Sequence, residues 1–170
     1  MKNFITQQEF FEKLDAWKYG FMKNNLCGLA SIFIVLKDLG AQISEQEVFD
    51  KALNLDAYDR ILWWKHERLM LVFNYFANKS GITYKSTETF DWKFLHNRKI
   101  KKIFFNFDKQ IYLASIKLDE NHFVILDKVD YNNIYYTSVW TKEYEPKQNH
   151  IIKMDDFFRV YNKRGILIKL

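Results

Sequence analysis

The feature that most constrains the fold is a change of pattern near residue 81. Before it, apolar residues recur at helical spacing and the segments open and close on capping residues. After it, short runs rich in β-branched and aromatic residues alternate with turn residues. Helices first and antiparallel strands second lead to an α+β fold, with an N-terminal helical half packed on a C-terminal antiparallel β-sheet. In the first half, Thr6 and Glu9 form a capping box that opens a helix over about Gln7 to Trp17. Ser44 and Glu47 form a second, for a short helix to about Leu53. A buried helix from Cys27 to Leu39 stops at Gly40, and a long helix from Asp59 to about Lys79 stops at Gly81. In the second half, strands are expected over Ile82 to Ser86, Lys102 to Phe107, Ile111 to Leu118, His122 to Val129 and Ile134 to Trp140, with a brief helix over Phe90 to Asn97. The short links at Asp119-Glu120-Asn121 and Asp130-Tyr131-Asn132-Asn133 make neighbouring strands antiparallel. A helix over Met154 to Tyr161 and a strand over Gly165 to Leu170 close the chain.

With 170 residues, 48% of them hydrophobic, the chain can bury a real core, and one domain over residues 1–170 is expected. The segment Met1 to Glu9 has no apolar core of signal-peptide length. No run approaches the about 18 apolar residues of a membrane span. A cytoplasmic location is expected, with secretion by a signal-independent route left open. The net charge of +5 concentrates in His96-Asn97-Arg98-Lys99-Ile100-Lys101-Lys102. Such a patch can attract nucleic acid. It is more often a solvated loop, and neither an aromatic RNA-binding motif nor zinc-finger spacing accompanies it, so nucleic acid is not the expected partner. No cluster of His, Cys, Asp or Glu has metal-ligand spacing and no glycine-rich phosphate loop exists; no metal and no other cofactor is expected.

Chemistry points to Cys27, the only cysteine. It follows Asn24 and Asn25, which are suited to capping, and opens a run that is apolar on nearly every side, Cys27-Gly28-Leu29-Ala30-Ser31-Ile32-Phe33-Ile34-Val35-Leu36. A thiol at a helix N-terminus meets the positive end of the macrodipole and backbone N–H groups that lack helical acceptors. Both favour the nucleophilic thiolate. A lone cysteine also serves commonly as a small apolar filler, so chemistry at Cys27 requires a base.

Four histidines are available. His66 is expected mid-helix and lacks the second histidine of a zinc-protease motif, His96 sits in the basic run, and His150 lies in a loop or strand start. His122 differs. It opens the apolar strand His122-Phe123-Val124-Ile125-Leu126 directly after a tight turn, at the end of a sheet, where rigid backbone would hold an accessible imidazole. Cysteine at a helix start followed by histidine at a strand start is the chain order of papain-like enzymes.

From about Gly20 to Leu170 the chain resembles the peptidase C39 group of papain-like cysteine peptidases. The likeness rests on Cys27-Gly28 opening a buried helix, the short helix after Ser44, His122 opening an apolar strand, and the tail Asp155-Asp156-Phe157-Phe158 with Gly165-Ile166-Leu167-Ile168. The resemblance implies Cys27 as nucleophile and His122 as base. Two positions depart from the family pattern. Where the family has an Asp that orients the histidine, this chain has Ser138, which can accept a hydrogen bond but supplies no charge. Asp127 and Asp130 are poor substitutes, since alternation points Asp127 to the opposite face and Asp130 lies in the far turn. Where the family has a Gln that binds the oxyanion, this chain has residues near Phe21; Asn24 and Asn25 are the nearest amides. Helix capping is the commoner role for Asn25.

The activity implied is cleavage of a peptide or protein through a thioester, with leader-peptide processing and a transporter or export partner as the family's usual setting. The same thioester serves deamidation or acyl transfer, as in a bacterial toxin or effector acting on a target protein. A catalytically inactive domain that binds a peptide or protein remains an alternative. Trp63, Trp64, Trp92 and Trp140 could line a peptide groove, although Trp63 or Trp64 is better read as core.

Overall fold

The computed structural model describes residues 3–15, 20, 22, 25–59, 63–84, 86–91, 110–117, 121–130, 132–139 and 149–170. The chain forms two compact units, Met1–Thr83 and Tyr84–Leu170. The first is mainly helical and the second is built on a sheet.

In the first unit, α1 (Gln7–Glu12) and α3 (Glu45–Asn54) both begin on complete capping boxes. Thr6 accepts from the Glu9 backbone N–H at 3.1 Å while its own N–H donates to the Glu9 carboxylate at 2.8 Å. The Ser44 and Glu47 pair repeats the arrangement at 3.3 and 2.9 Å. Each box satisfies two donors that helical geometry leaves over. Helix α2 (Cys27–Asp38) is buried at every residue from Cys27 to Leu36. That explains its all-round apolarity: it is the central helix of the unit, and α1, α3 and α4 (His66–Lys79) pack on it. Helix α3 contributes Val48, Phe49 and Ala52, and α4 contributes Leu69, Val72, Phe73, Phe76 and Ala77, each set at helical spacing. Phe10 of α1 meets Phe33 of α2 edge-on at 5.5 Å. Gly40 and Gly81 sit at φ +94° and +67°, the left-handed conformation that ends a helix at little cost for glycine.

The helix expected from Asp59 begins instead at His66. The residues before it form two short antiparallel strands, β1 (Tyr58–Asp59) and β2 (Trp63–Trp64), with Tyr58 opposite Trp64. Aromatic residues favour this extended pairing. The Lys65 N–H donates to the Ala57 carbonyl at 3.0 Å, and Lys65 is itself extended, so the helix cannot start earlier. His66 is therefore the first residue of α4 and not a mid-helix residue. Helix α1 ends at Glu12 rather than near Trp17, which lies outside the described residues.

In the second unit, six strands form an antiparallel sheet: β3 (Ser86–Asp91), β4 (Gln110–Lys117), β5 (Asn121–Val129), β6 (Asn133–Ser138), β7 (His150–Lys153) and β8 (Tyr161–Lys169), in the order β3-β8-β4-β5-β6-β7. The helix α5 (Met154–Val160) precedes β8. Met154 and Phe157 of α5 share one apolar cluster with Tyr112, Ala114, Ile116, Val124, Leu126, Ile134 and Leu167, which alternate along four strands. Residues 82–84 have no regular structure; the strand expected there runs Ser86–Asp91 and takes Phe90 and Asp91 from the expected helix, whose remainder lies outside the described residues. The strand expected over Lys102 to Phe107 also lies outside them. The C-terminal strand starts at Tyr161, four residues before the expected Gly165.

Candidate functional site

Each unit carries part of the expected site. In the first, Cys27 is the first residue of α2 and exposes 6% of its surface. The earliest helical hydrogen bond of α2 runs from the Ala30 N–H to the Leu26 carbonyl at 2.8 Å, so the ladder gives no acceptor to the N–H groups of Cys27, Gly28 and Leu29. Leu26 occupies the N-cap and makes no side-chain cap bond. The capping role expected of Asn25 is thus not taken up, because the helix starts one residue later than that role requires. Asn25 contributes its backbone instead: its carbonyl accepts a hydrogen bond from the indole N–H of Trp64. Asn24 lies outside the described residues.

Trp64 is 4% exposed, a core residue, and its ring meets Tyr58 edge-on at 5.2 Å. Of the other tryptophans, Trp92 and Trp140 lie outside the described residues, as does the side chain of Trp63. The bond to Asn25 was not legible in the sequence, since it joins positions 39 apart. The only hint is the aromatic pair Trp63-Trp64 itself, which the sequence placed inside the expected helix.

In the second unit, His122 is the second residue of β5 and stands opposite Ile116 of β4. Alternation puts its side chain on the face of Val124 and Leu126, which belongs to the apolar cluster. It exposes only 3% of its surface, so the accessible imidazole expected from its place at a strand start is a buried one. Ser138 ends β6, lies opposite Val124, and is also buried. It therefore faces the same side as His122, as its diagonal neighbour across the β5–β6 ladder.

Asp127 lies at the irregularity where the β5–β6 register shifts between Leu126 and Lys128. Its carboxylate accepts a 2.7 Å hydrogen bond from Thr137. Thr137 precedes Ser138 and so occupies the opposite face, which removes Asp127 from the His122 side as the alternation argument requires. Burial pushes the Asp127 carboxyl above the usual aspartate range, and the Thr137 bond offsets only part of this. Asp130 shapes the β5–β6 turn: its carboxylate accepts from the backbone N–H groups of Asn132 and Asn133 at 2.9 and 2.7 Å, and from the Tyr135 hydroxyl at 2.9 Å. Those bonds hold its carboxyl below the ordinary value. His150 of β7 stacks on Tyr136 at 5.0 Å, and His96 lies outside the described residues with the basic run around it. Among the described residues, no three of His, Cys, Asp and Glu group in a way that could hold a metal ion.

A helical unit whose buried helix opens on a lone cysteine, followed by an antiparallel sheet with a buried histidine at a strand start, has the α+β fold of the papain-like C39 peptidases. Solved structures that share it include the following three. A double-glycine-motif protease from an AMS/PCAT transporter, solved with its leader peptide, is 16% identical, with TM-score 0.55 over 84% of this chain and 83% of that one. The peptidase domain of Streptococcus ComA, a bifunctional ABC transporter involved in quorum sensing, is 13% identical, with TM-score 0.55 over 85% and 91%. A Bacillus anthracis protein described as a C39-like peptidase is 10% identical, with TM-score 0.60 over 99% and 94%. No protein-family model matches the chain, and no curated protein matches it. At these identities the likeness concerns the fold. Among the described residues no helix is long and apolar enough to cross a membrane.

Proposed function

We propose that this chain is a cysteine peptidase acting on a peptide or protein, with Cys27 as nucleophile and His122 as general base. The observation that carries the proposal is Cys27 at the first turn of the central helix of a C39-like fold, beside N–H groups that the helix leaves without acceptors. In the proposed mechanism His122 takes the thiol proton and the thiolate attacks the substrate carbonyl carbon. Negative charge gathers on the carbonyl oxygen, where the Cys27 backbone N–H and a side-chain amide donate to it; Asn24 and Asn25 are the candidates for that amide. The tetrahedral intermediate collapses, the C–N bond breaks, and His122 gives its proton to the leaving amine. A water, deprotonated by His122, attacks the thioester and regenerates the thiol. Ser138 orients the imidazole by a hydrogen bond, without the charge of a carboxylate.

Leader peptides are the first substrates to test, because one of the similar structures is a double-glycine-motif protease bound to its leader. A cytoplasmic setting with an export partner is part of the same proposal. A second reading, an inactive domain that binds its peptide, is favoured by two observations: a serine replaces the carboxylate, and the Cys27 thiol is almost fully covered.

The test is incubation with peptides in which a double-glycine leader sequence is followed by further residues, so that the bond after the second glycine is present, with mass spectrometry of the products. Cleavage by the wild type that disappears in Cys27→Ala and His122→Ala supports peptidase action. A product with the mass of a deamidated side chain, and no cleavage, transfers the same dyad to deamidation. Binding without product, equal in wild type and Cys27→Ala, establishes the inactive domain instead.

A further inference from the structure

We propose that Trp64 is a positioning residue for the Cys27 turn. This rests on the peptidase reading above and adds to it the group that aims the nucleophile and its neighbouring donor.

Three observations lead there. First, Trp64 is buried, and its indole N–H, a donor only, is spent on the carbonyl of Asn25, two residues before the nucleophile. A peptide unit is planar, so fixing the Asn25 carbonyl fixes the plane shared with the Leu26 N–H. Leu26, at φ −92° and ψ 5°, then sets the direction of the Cys27 N–H. Second, the N-cap of α2 is Leu26, whose side chain has no hydrogen-bonding group to close the turn. Helices α1 and α3 begin on capping boxes, while the N-cap of α2 makes no side-chain bond. The entry to α2 is held from across the unit by the Trp64 bond. Third, Trp64 is itself well fixed. It pairs with Tyr58 in the β1–β2 ladder and packs edge-on against that ring. The Lys65 N–H closes on Ala57 at 3.0 Å, and the Lys65 ammonium meets the Asp56 carboxylate at 2.9 Å. Helix α4, which follows at once, packs on α2. The donor thus sits on an element tied to the same helix whose start it holds.

An oxyanion donor is effective only when it is aimed before the reaction begins. Small misplacements of a catalytic group cost large factors in rate while leaving substrate binding largely intact. Loss of the Trp64 bond should therefore appear in kcat and in the reactivity of the thiol, and not in KM.

The experiment compares wild type with Trp64→Phe, which keeps a ring and removes the donor. If that variant fails to fold, benzothienylalanine placed at position 64 keeps the indole shape and loses only the N–H. For the folded variant, the expected result is kcat lower by about tenfold or more with KM within about twofold, and an iodoacetamide alkylation profile of Cys27 shifted to higher pH. Turnover and an alkylation profile equal to wild type overturn the proposal, as does a loss confined to KM. Should the wild type cleave nothing, the peptidase reading falls by itself; the alkylation profile then decides the role of Trp64, a shift supporting it and an unchanged profile overturning it.

Discussion

Ser138 lies on the same face of the sheet as His122, one diagonal step away across the β5–β6 ladder, where Val124 is its direct partner. In the proposed mechanism this position takes the part of the carboxylate that orients the imidazole. Replacing Ser138 by Asp adds the missing charge, which stabilises the imidazolium formed when the thiol proton moves. Turnover of a cleaved leader peptide should rise by about tenfold or more, since an orienting carboxylate is worth up to about 10⁴ elsewhere. Ser138→Ala should lower it. Steady-state kinetics of the two variants check this, and a fall in Ser138→Asp would show that the position does not serve the histidine.

Asp127 gives a pH signature of stability. Burial raises its folded-state value above the ordinary 3.8. A raised carboxyl contributes stability below the unfolded value and loses it as pH rises through the folded one. At pH 7 the half-buried charge is therefore a cost, while an amide oxygen can still accept from Thr137. Asp127→Asn should unfold at a higher denaturant concentration than wild type at pH 7. The difference should vanish as pH falls below 3.8, where Asp127 is itself neutral.

Asp130 has the opposite sign. Backbone bonds from Asn132 and Asn133, and then the Tyr135 hydroxyl, lower its value from 3.8. Its contribution is present above the unfolded value and is lost as pH falls through the folded one. Asp130→Ala should destabilise at neutral pH and converge with wild type under acid conditions. Urea titrations across that window measure it.

Gly165 allows β8 to lie close to β4. A Cβ there would meet the Leu113 carbonyl at 2.6 Å and the ring and hydroxyl of Tyr112, which hydrogen-bonds the buried Tyr161. Backbone and a buried ring cannot yield as a flexible chain end would. Gly165→Ala should cost at least about 1–3 kcal/mol, the usual range for overpacking a core. Chemical denaturation would show it as a lowered midpoint with an unchanged slope.

What the sequence disclosed followed from how local each cause was. The starts of α1 and α3 could be read at Thr6-x-x-Glu9 and Ser44-x-x-Glu47 because a capping box is complete within four residues. Helix α2 was legible from its apolar run and Gly40. The start of α4 was not, because Tyr58 to Trp64 is apolar enough for a helix and only its antiparallel pairing reveals two strands. Strand β3 was misplaced for a similar reason. Its partner, β8, lies at the far end of the chain, with Ser86 opposite Lys169, and no local pattern records that pairing. The same holds at the candidate site. Cys27 and His122 stand out by position within their own segments. The pairing of His122 with Ile116 of β4 and the bond from Trp64 to Asn25 are both set by tertiary contacts.

The proposed chemistry depends on a Cys27 thiolate supported by His122. The direct measurement is the rate of iodoacetamide alkylation of Cys27 against pH, in wild type and in His122→Ala. Wild-type alkylation should remain rapid well below the about 8.5 of an ordinary thiol, and removal of His122 should move the midpoint upward by about one unit or more. A midpoint near the ordinary thiol value that is the same in both proteins, or a thiol that reacts only after unfolding, would contradict it.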